Sequence, residues 1–395
     1  MFKVENPLRE FPREVGVLLF ASFFVAVGFG IIAPTLPLFA RSFGVNNAAV
    51  GTMLSAFALA RFASGLISGK LVDTFGERLV YTTGIGMVAI SSALAAASQS
   101  YLQLLIFRAA GGLGSSMFSV AAGSIILRAT SDYNRARAQS LYNGSFLLGM
   151  VGGPVIGGAL ATISLRAPMA IYAILLVISS IAGGLLLRNS VLAARPESKQ
   201  ESISIREVFT LKPYLIALTI SFGTGWIIFG MSRSIVPLFM VEDMKVSASF
   251  MSIGFTLSSV ANGLLLLYAG KLSDIRGRRY VAVIGTASMT LATILLIVTF
   301  HPWVFMVSML LFGIAGAFIA TVPGSLIGDI LTGSGGKVIA LQQMSGDFAA
   351  MLSPILLGAI SDAGGFRPAF IVSAILIAGV FVVATHIPET RNLPN

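Results

Sequence analysis

The sequence predicts an all-α membrane protein in which twelve transmembrane helices form two parallel-repeat six-helix bundles. Three observations carry this prediction. Of 395 residues, 56% are hydrophobic and 11% charged, against roughly 25% charged residues in a soluble globular chain. About twelve apolar runs reach the roughly 20 residues that a helix needs to cross a hydrocarbon core. Finally, the stretch GKLVDTFGER, Gly69 to Arg78, returns as GKLSDIRGRR, Gly270 to Arg279, half a chain later.

In chain order the runs cover 15–38, 49–69, 80–99, 102–127, 141–163, 168–187, 213–239, 248–269, 280–300, 303–327, 338–360 and 368–387. Backbone N–H and C=O groups find no water in lipid, so each run is helical. The first follows Lys3, Arg9 and Arg13 but is too long for a secretory leader, and no A-x-A-like cleavage site follows it. It is kept as the first span. The second run leads into the Gly69–Arg78 turn and the third leaves it. The sixth ends at RNSVLAARPESKQESISIREVFTLK, the longest polar stretch of the chain. The eighth and ninth flank the second copy of the turn, as the second and third flank the first.

The halves align beyond that turn. Leu36-Pro37-Leu38-Phe39 corresponds to Val236-Pro237-Leu238-Phe239, and Pro154 to Pro354, an offset of 200; Asp73 corresponds to Asp274, an offset of 201. The expected organisation is a bundle over 1–187, a cytoplasmic linker over 188–212 and a second bundle over 213–395. Six spans per repeat put both repeats in the same orientation, the parallel arrangement whose central site alternates access by rocking.

Lys and Arg number 26 and concentrate on the N-terminal side of the membrane; the opposite loops hold only Arg41, Arg166, Lys245 and Arg367. The positive-inside rule therefore puts both termini in the cytoplasm. The net charge of +10 reads as topology and contact with anionic lipid, and no nucleic-acid partner is expected. Cysteine is absent, which excludes disulfides, thiolate metal sites and a cysteine nucleophile. His301 and His386 stand singly at span ends. TGSGGK, Thr332 to Lys337, lacks the first glycine of a phosphate loop, with Leu331 in its place, and Val338 stands where Ser or Thr should follow. No cofactor and no catalytic constellation is expected, so the chain is not read as an enzyme or an ATP-driven pump.

The repeated turn has the form G-x-L-x-D-x-x-G-x-[RK], with Gly69, Asp73, Gly76 and Arg78 in one copy and Gly270, Asp274, Gly277, Arg278 and Arg279 in the other. In this the chain resembles the major facilitator superfamily over essentially its whole length. Arg108, Gly112 and Gly114 are similar to that family's fourth-helix pattern. Gly149, Gly153, Pro154, Gly157 and Gly158 are similar to the G-x-x-x-G-P-x-x-G-G motif of its drug and proton antiporters. The resemblance implies proton-coupled export of drug-like or small organic molecules across the plasma membrane by alternating access, in a monomer whose doubled turn latches the cytoplasmic side. An uptake permease or uniporter, or a non-transporting receptor or scaffold, are the alternatives.

The residues support a physical reading as well. Glycines allow a tight turn and close helix approach in the repeated stretch, and Asp73 and Arg78 can pair with each other or with helix ends. Gly149, Gly153 and Gly157, spaced by four, form one smooth helix face, which Pro154 kinks.

Charges inside spans cost a few kcal/mol each and mark function. They are Arg61, Arg108, Arg233 and Asp347. Arg233 and Arg108 lie near enough to span ends to snorkel. Arg61 and Asp347 each lie roughly 15 to 18 Å from the cytoplasmic turns, and the family fold sets their helices face to face, so they are expected to pair. The first span has no acid, which leaves Asp347 as the single candidate proton carrier, since Arg does not release its proton. Three buried arginines favour neutral or anionic substrates.

Overall fold

The computed structural model of the chain describes residues 12–129, 135–188, 207, 209–298, 301–320, 322–330 and 336–388; at Asp73 and Asp274, among others, it describes the backbone alone. Most of the expected linker and the glycine-rich 332–335 lie outside the described residues. No strand occurs among the described residues, and twelve helices are long and apolar enough to cross a membrane.

Packing divides the chain into two units, Met1–Phe43 with Ala56–Pro196, and Gly44–Ser55 with Glu197–Asn395. The first contains α1 (Arg13–Ile32), α2 (Leu36–Arg41), most of α3 (Asn47–Phe75), α4 (Glu77–Ala96), α5 (Tyr101–Ala129), α6 (Arg135–Ile163) and α7 (Ala167–Leu186). Here α1 packs on α6 and α7, and α4 on α5 and α7.

The second unit holds the start of α3, then α8 (Lys212–Gly225), a π-helical segment (Trp226–Ile235), α9 (Val236–Glu242), α10 (Ala248–Arg276), α11 (Arg278–Val298), α12 (Pro302–Ile319), α13 (Val322–Ile330), α14 (Gly336–Gly364) and α15 (Phe366–Thr385). Its contacts repeat those of the first: α14 packs on α8 and the π segment, and α11 on α12 and α15. This equivalence is the structural form of the sequence repeat.

The run 303–327 is described as two helices, α12 and α13, and two other elements depart from expectation near the same proline of the repeat. The run 15–38 is not one helix. α1 stops at Ile32, and Thr35 Oγ1 donates to the carbonyls of Ile31 and Ile32 at 3.2 and 3.4 Å before α2 restarts with Pro37 in its first turn. Pro37 lacks the N–H that would bond to Ala33 O four residues back, so the ladder cannot run continuously through this point. At Pro237 the chain instead remains helical, and the ladder just before it is widened: Val236 N–H reaches Met231 O, five residues back. Such π segments concentrate at functional sites.

Candidate functional site

The two turns are far shorter than the repeated stretch. α3 ends at Phe75 and α4 starts at Glu77, leaving Gly76 alone between them at φ 79°. Gly277 separates α10 from α11 at φ 94°. A Cβ clashes with the backbone in that region, which is why glycine stands at both positions. The expectation that Gly69 and Gly270 serve the same tight turn is corrected. They lie inside α3 and α10, where an added Cβ would meet nothing within 4 Å, because both helices continue almost to the end of the motif.

The charged residues of the two turns are held differently. Arg78 Nε donates to Gly184 O at 3.2 Å, near the C-terminal end of α7, where unpaired carbonyls and the helix dipole favour a cation. Glu77, singled out by no sequence argument, is 7% exposed and accepts a hydrogen bond from Ser124 Oγ at 2.9 Å. In the second copy Arg278 occupies that place and its Nη1 donates to Ser273 Oγ at 2.9 Å, while Arg279 is exposed. The Asp73 and Asp274 side chains lie outside the described residues.

The other end of α3 carries a bond that sequence reasoning missed. Within the second unit, Asn47 N and Ala48 N donate to the two carboxylate oxygens of Asp362 at 2.8 and 2.7 Å. The first N–H groups of a helix have no partner within it, and Asp362 satisfies two of them. Packing around the pair is close: a Cβ on Gly358 would strike Asn47 O, and one on Gly51 would strike Pro354 O.

Of the charges within spans, Asp347 is eleven residues into α14, about 17 Å along the axis. It is half-buried and, among the described residues of its own unit, has no hydrogen bond or ion pair. Gln342, which donates to Ser221 Oγ at 2.5 Å, and Ser345, which donates to Leu218 O at 2.9 Å, turn toward α8. By helical geometry Asp347 lies on roughly the opposite side of α14. Arg61 is half-buried on α3 in the first unit; its repeat counterpart, Asn262, packs its side chain against Gly316 of α12.

Arg108 and Arg233 were both open to snorkelling. The structure corrects this for Arg108, which is 3% exposed with its guanidinium 4.5 Å from the centre of the Phe57 ring. A side chain reaching for the interface would be wet instead. Arg233 sits in the π segment, 5.0 Å from the Phe229 ring centre.

The glycine face of the fifth span lies on α1. A Cβ on Gly149 would come within 2.5 Å of Phe23 O, one on Gly153 within 2.6 Å of Gly30 Cα, and one on Gly157 would strike Ile31 O. Pro154 and Gly158 are buried beside them. In the second unit the repeat positions of those three glycines are Ala349, Ser353 and Leu357, and glycines of the facing segment make room for them: Gly225 abuts Gly346 and Ala349, and Gly230 abuts Ser353.

A family model described as Major Facilitator Superfamily matches the chain over residues 18–235 and again over 219–394. The chain belongs to this family. It is a multi-pass membrane transporter of small molecules and not an enzyme. As a facilitator it is 20% identical over 384 residues to the Quinolone resistance protein NorA of Staphylococcus aureus, covering 94% of this chain and 96% of that protein. Among solved structures it is similar to the nucleoside transporter NupG, with a TM-score of 0.76 at 16% identity over 95% of this chain and 100% of that one. It is also similar to a D-xylose-proton symporter, with a TM-score of 0.77 at 15% identity over 96% of this chain and 98% of that one. At these identities the two structures speak for the facilitator fold alone.

Proposed function

We propose that this facilitator is a proton-coupled exporter of drug-like or other small organic molecules, neutral or anionic, acting as a monomer in the plasma membrane with both termini cytoplasmic. The observation that carries the coupling is Asp347. Among the described residues it is the only acid that stands more than a turn from a helix end, and it has no partner among those of its own unit. A carboxylate so placed is costly unless it is paired or protonated during the cycle. Pairing with Arg61 in one state and protonation in the other would couple proton movement to alternating access, with the bundles 1–187 and 213–395 as the moving bodies. The turns at Asp73 and Asp274 then act as latches on the cytoplasmic side. The printed name of NorA, a resistance protein, supports export. The D-xylose-proton symporter of the same fold makes proton-driven uptake the second reading.

The experiment is substrate-dependent proton flux in proteoliposomes carrying a pH dye, with anionic, neutral and cationic compounds, on wild type and Asp347→Asn. A compound that drives proton flux in wild type and not in the variant supports the reading. Solute flux without proton movement in either protein would reduce the chain to a uniporter, and proton movement in the direction of the solute would make it a symporter.

A further inference from the structure

We infer that Arg108 is an anion-binding residue and that the cargo of this transporter presents a carboxylate or a similar anionic group to it. The inference rests on the transport reading above and names the charge class of what is carried. Arg108 lies seven residues after the start of α5, and both Nε and Nη1 are buried without a hydrogen-bond partner. One side of the guanidinium rests on the Phe57 ring, and the Tyr172 phenol is within electrostatic range. An aromatic face attracts a cation, but neither ring carries a charge to balance it.

No carboxylate described in the first unit does so either. The acids at described positions there are Glu14, Asp73 and Glu77, Asp73 by its backbone alone. Glu77 is bonded to Ser124, sixteen residues beyond Arg108 on α5 and so about 24 Å away along the axis. Asp73 stands sixteen residues beyond Phe57 on α3, again about 24 Å. Glu14 precedes Gly28, the α1 position against which Tyr172 packs, by fourteen residues, about 21 Å.

A guanidinium holds its proton at any physiological pH. Arg108 is therefore a permanent buried cation with no counter-charge among the described side chains of its own unit. Such a group carries a large desolvation penalty, and an arriving anion relieves it. Planar N–H donors suit a carboxylate in particular, and Phe57 gives an apolar or aromatic body a surface beside the charge. Purely inorganic anions share the charge chemistry without using that surface, so the test separates the two.

The test measures unfolding temperature of the purified full chain in lipid nanodiscs against ligand concentration. Benzoate is the organic anion, benzamide its neutral counterpart and chloride the inorganic anion. Benzoate should stabilise wild type saturably and benzamide should not. Arg108→Gln should weaken the benzoate effect at least about tenfold. Arg108→Lys keeps the charge but loses the planar fork, and should weaken it by less; it also carries the test if the glutamine variant does not fold. Competition by chloride would support a shared anion site at Arg108. Stabilisation by chloride with none by benzoate overturns an organic cargo, and an equal benzoate effect in wild type and Arg108→Gln overturns the site. In proteoliposomes, flux of a neutral or cationic solute that survives Arg108→Gln sinks this inference and leaves transport standing. Arg108-dependent benzoate binding with no flux of any solute does the reverse.

Discussion

The carboxylate of Asp362 holds the backbone N–H groups of both Asn47 and Ala48, at 2.8 and 2.7 Å, so that one side chain caps a helix more than three hundred residues away in sequence. Charge-assisted bonds to a helix N-terminus are among the stronger single contacts on a helix end. Asp362→Ala should lower stability by about 0.5–2 kcal/mol, the range for losing a side-chain cap. Asp362→Asn should lower it less, because the amide oxygen still accepts one bond. The natural chain has no cysteine, so Val45→Cys gives a clean maleimide probe beside the cap, and its labelling rate should rise in the alanine variant. Equal unfolding temperatures and equal labelling would remove the carboxylate from any role.

The face between α6 and α1 makes a graded prediction. Gly153→Ala and Gly157→Ala drive a methyl into α1 backbone and should cost about 1–3 kcal/mol, as overpacking does. Gly152→Ala meets nothing within 4 Å and should be neutral or gain up to about 1 kcal/mol of helix propensity. Monodisperse yield and thermal unfolding compare the three. A destabilised Gly152 variant would contradict this packing.

The turn glycines separate fold from mechanism. Gly76→Ala and Gly277→Ala place a Cβ at positive φ and should cost about 1–2 kcal/mol each. Gly69→Ala should leave unfolding unchanged or slightly improved. If Gly69→Ala nonetheless abolishes transport, its glycine serves a state with closer packing than this one. If it destabilises the resting protein, the open surroundings seen here are wrong.

Glu77 and Ser124 should be energetically coupled. Each single alanine variant removes one side of a buried bond, and the double variant should lose less than the sum by about 0.5–3 kcal/mol, the range for directly bonded neighbours. Additive losses in a double-mutant cycle would assign the burial of Glu77 to other contacts.

Spans were legible because hydropathy and length report burial in lipid directly: ten of the apolar runs became unbroken helical spans, and Asp347 stood out among the described acids as the one far from any helix end. Hydrogen-bond register was not legible. Pro37 and Pro237 sit at matching places in the repeat, yet one breaks its helix and the other follows a π segment, since the outcome depends on packing against the rest of each unit. Glu77 and Asp362 were missed because each lies at a span end, where any acid resembles a solvated loop residue; only the position of a distant hydroxyl or helix terminus distinguishes them. Arg108 was visible as a charge, but whether its long side chain turned to water or inward was a matter of tertiary placement.

α3 starts among the residues of one packing unit and continues into the other. A gene split in the polar stretch between the repeats therefore does not yield two self-sufficient proteins. The N-terminal fragment would carry residues 44–55 while Asp362, Pro354 and Gly358, which hold them, stay on the C-terminal fragment. Two plasmids expressing the halves should recombine into a working whole, with that orphaned helix end as the docking point, and the N-terminal fragment alone should be the one that quality control degrades.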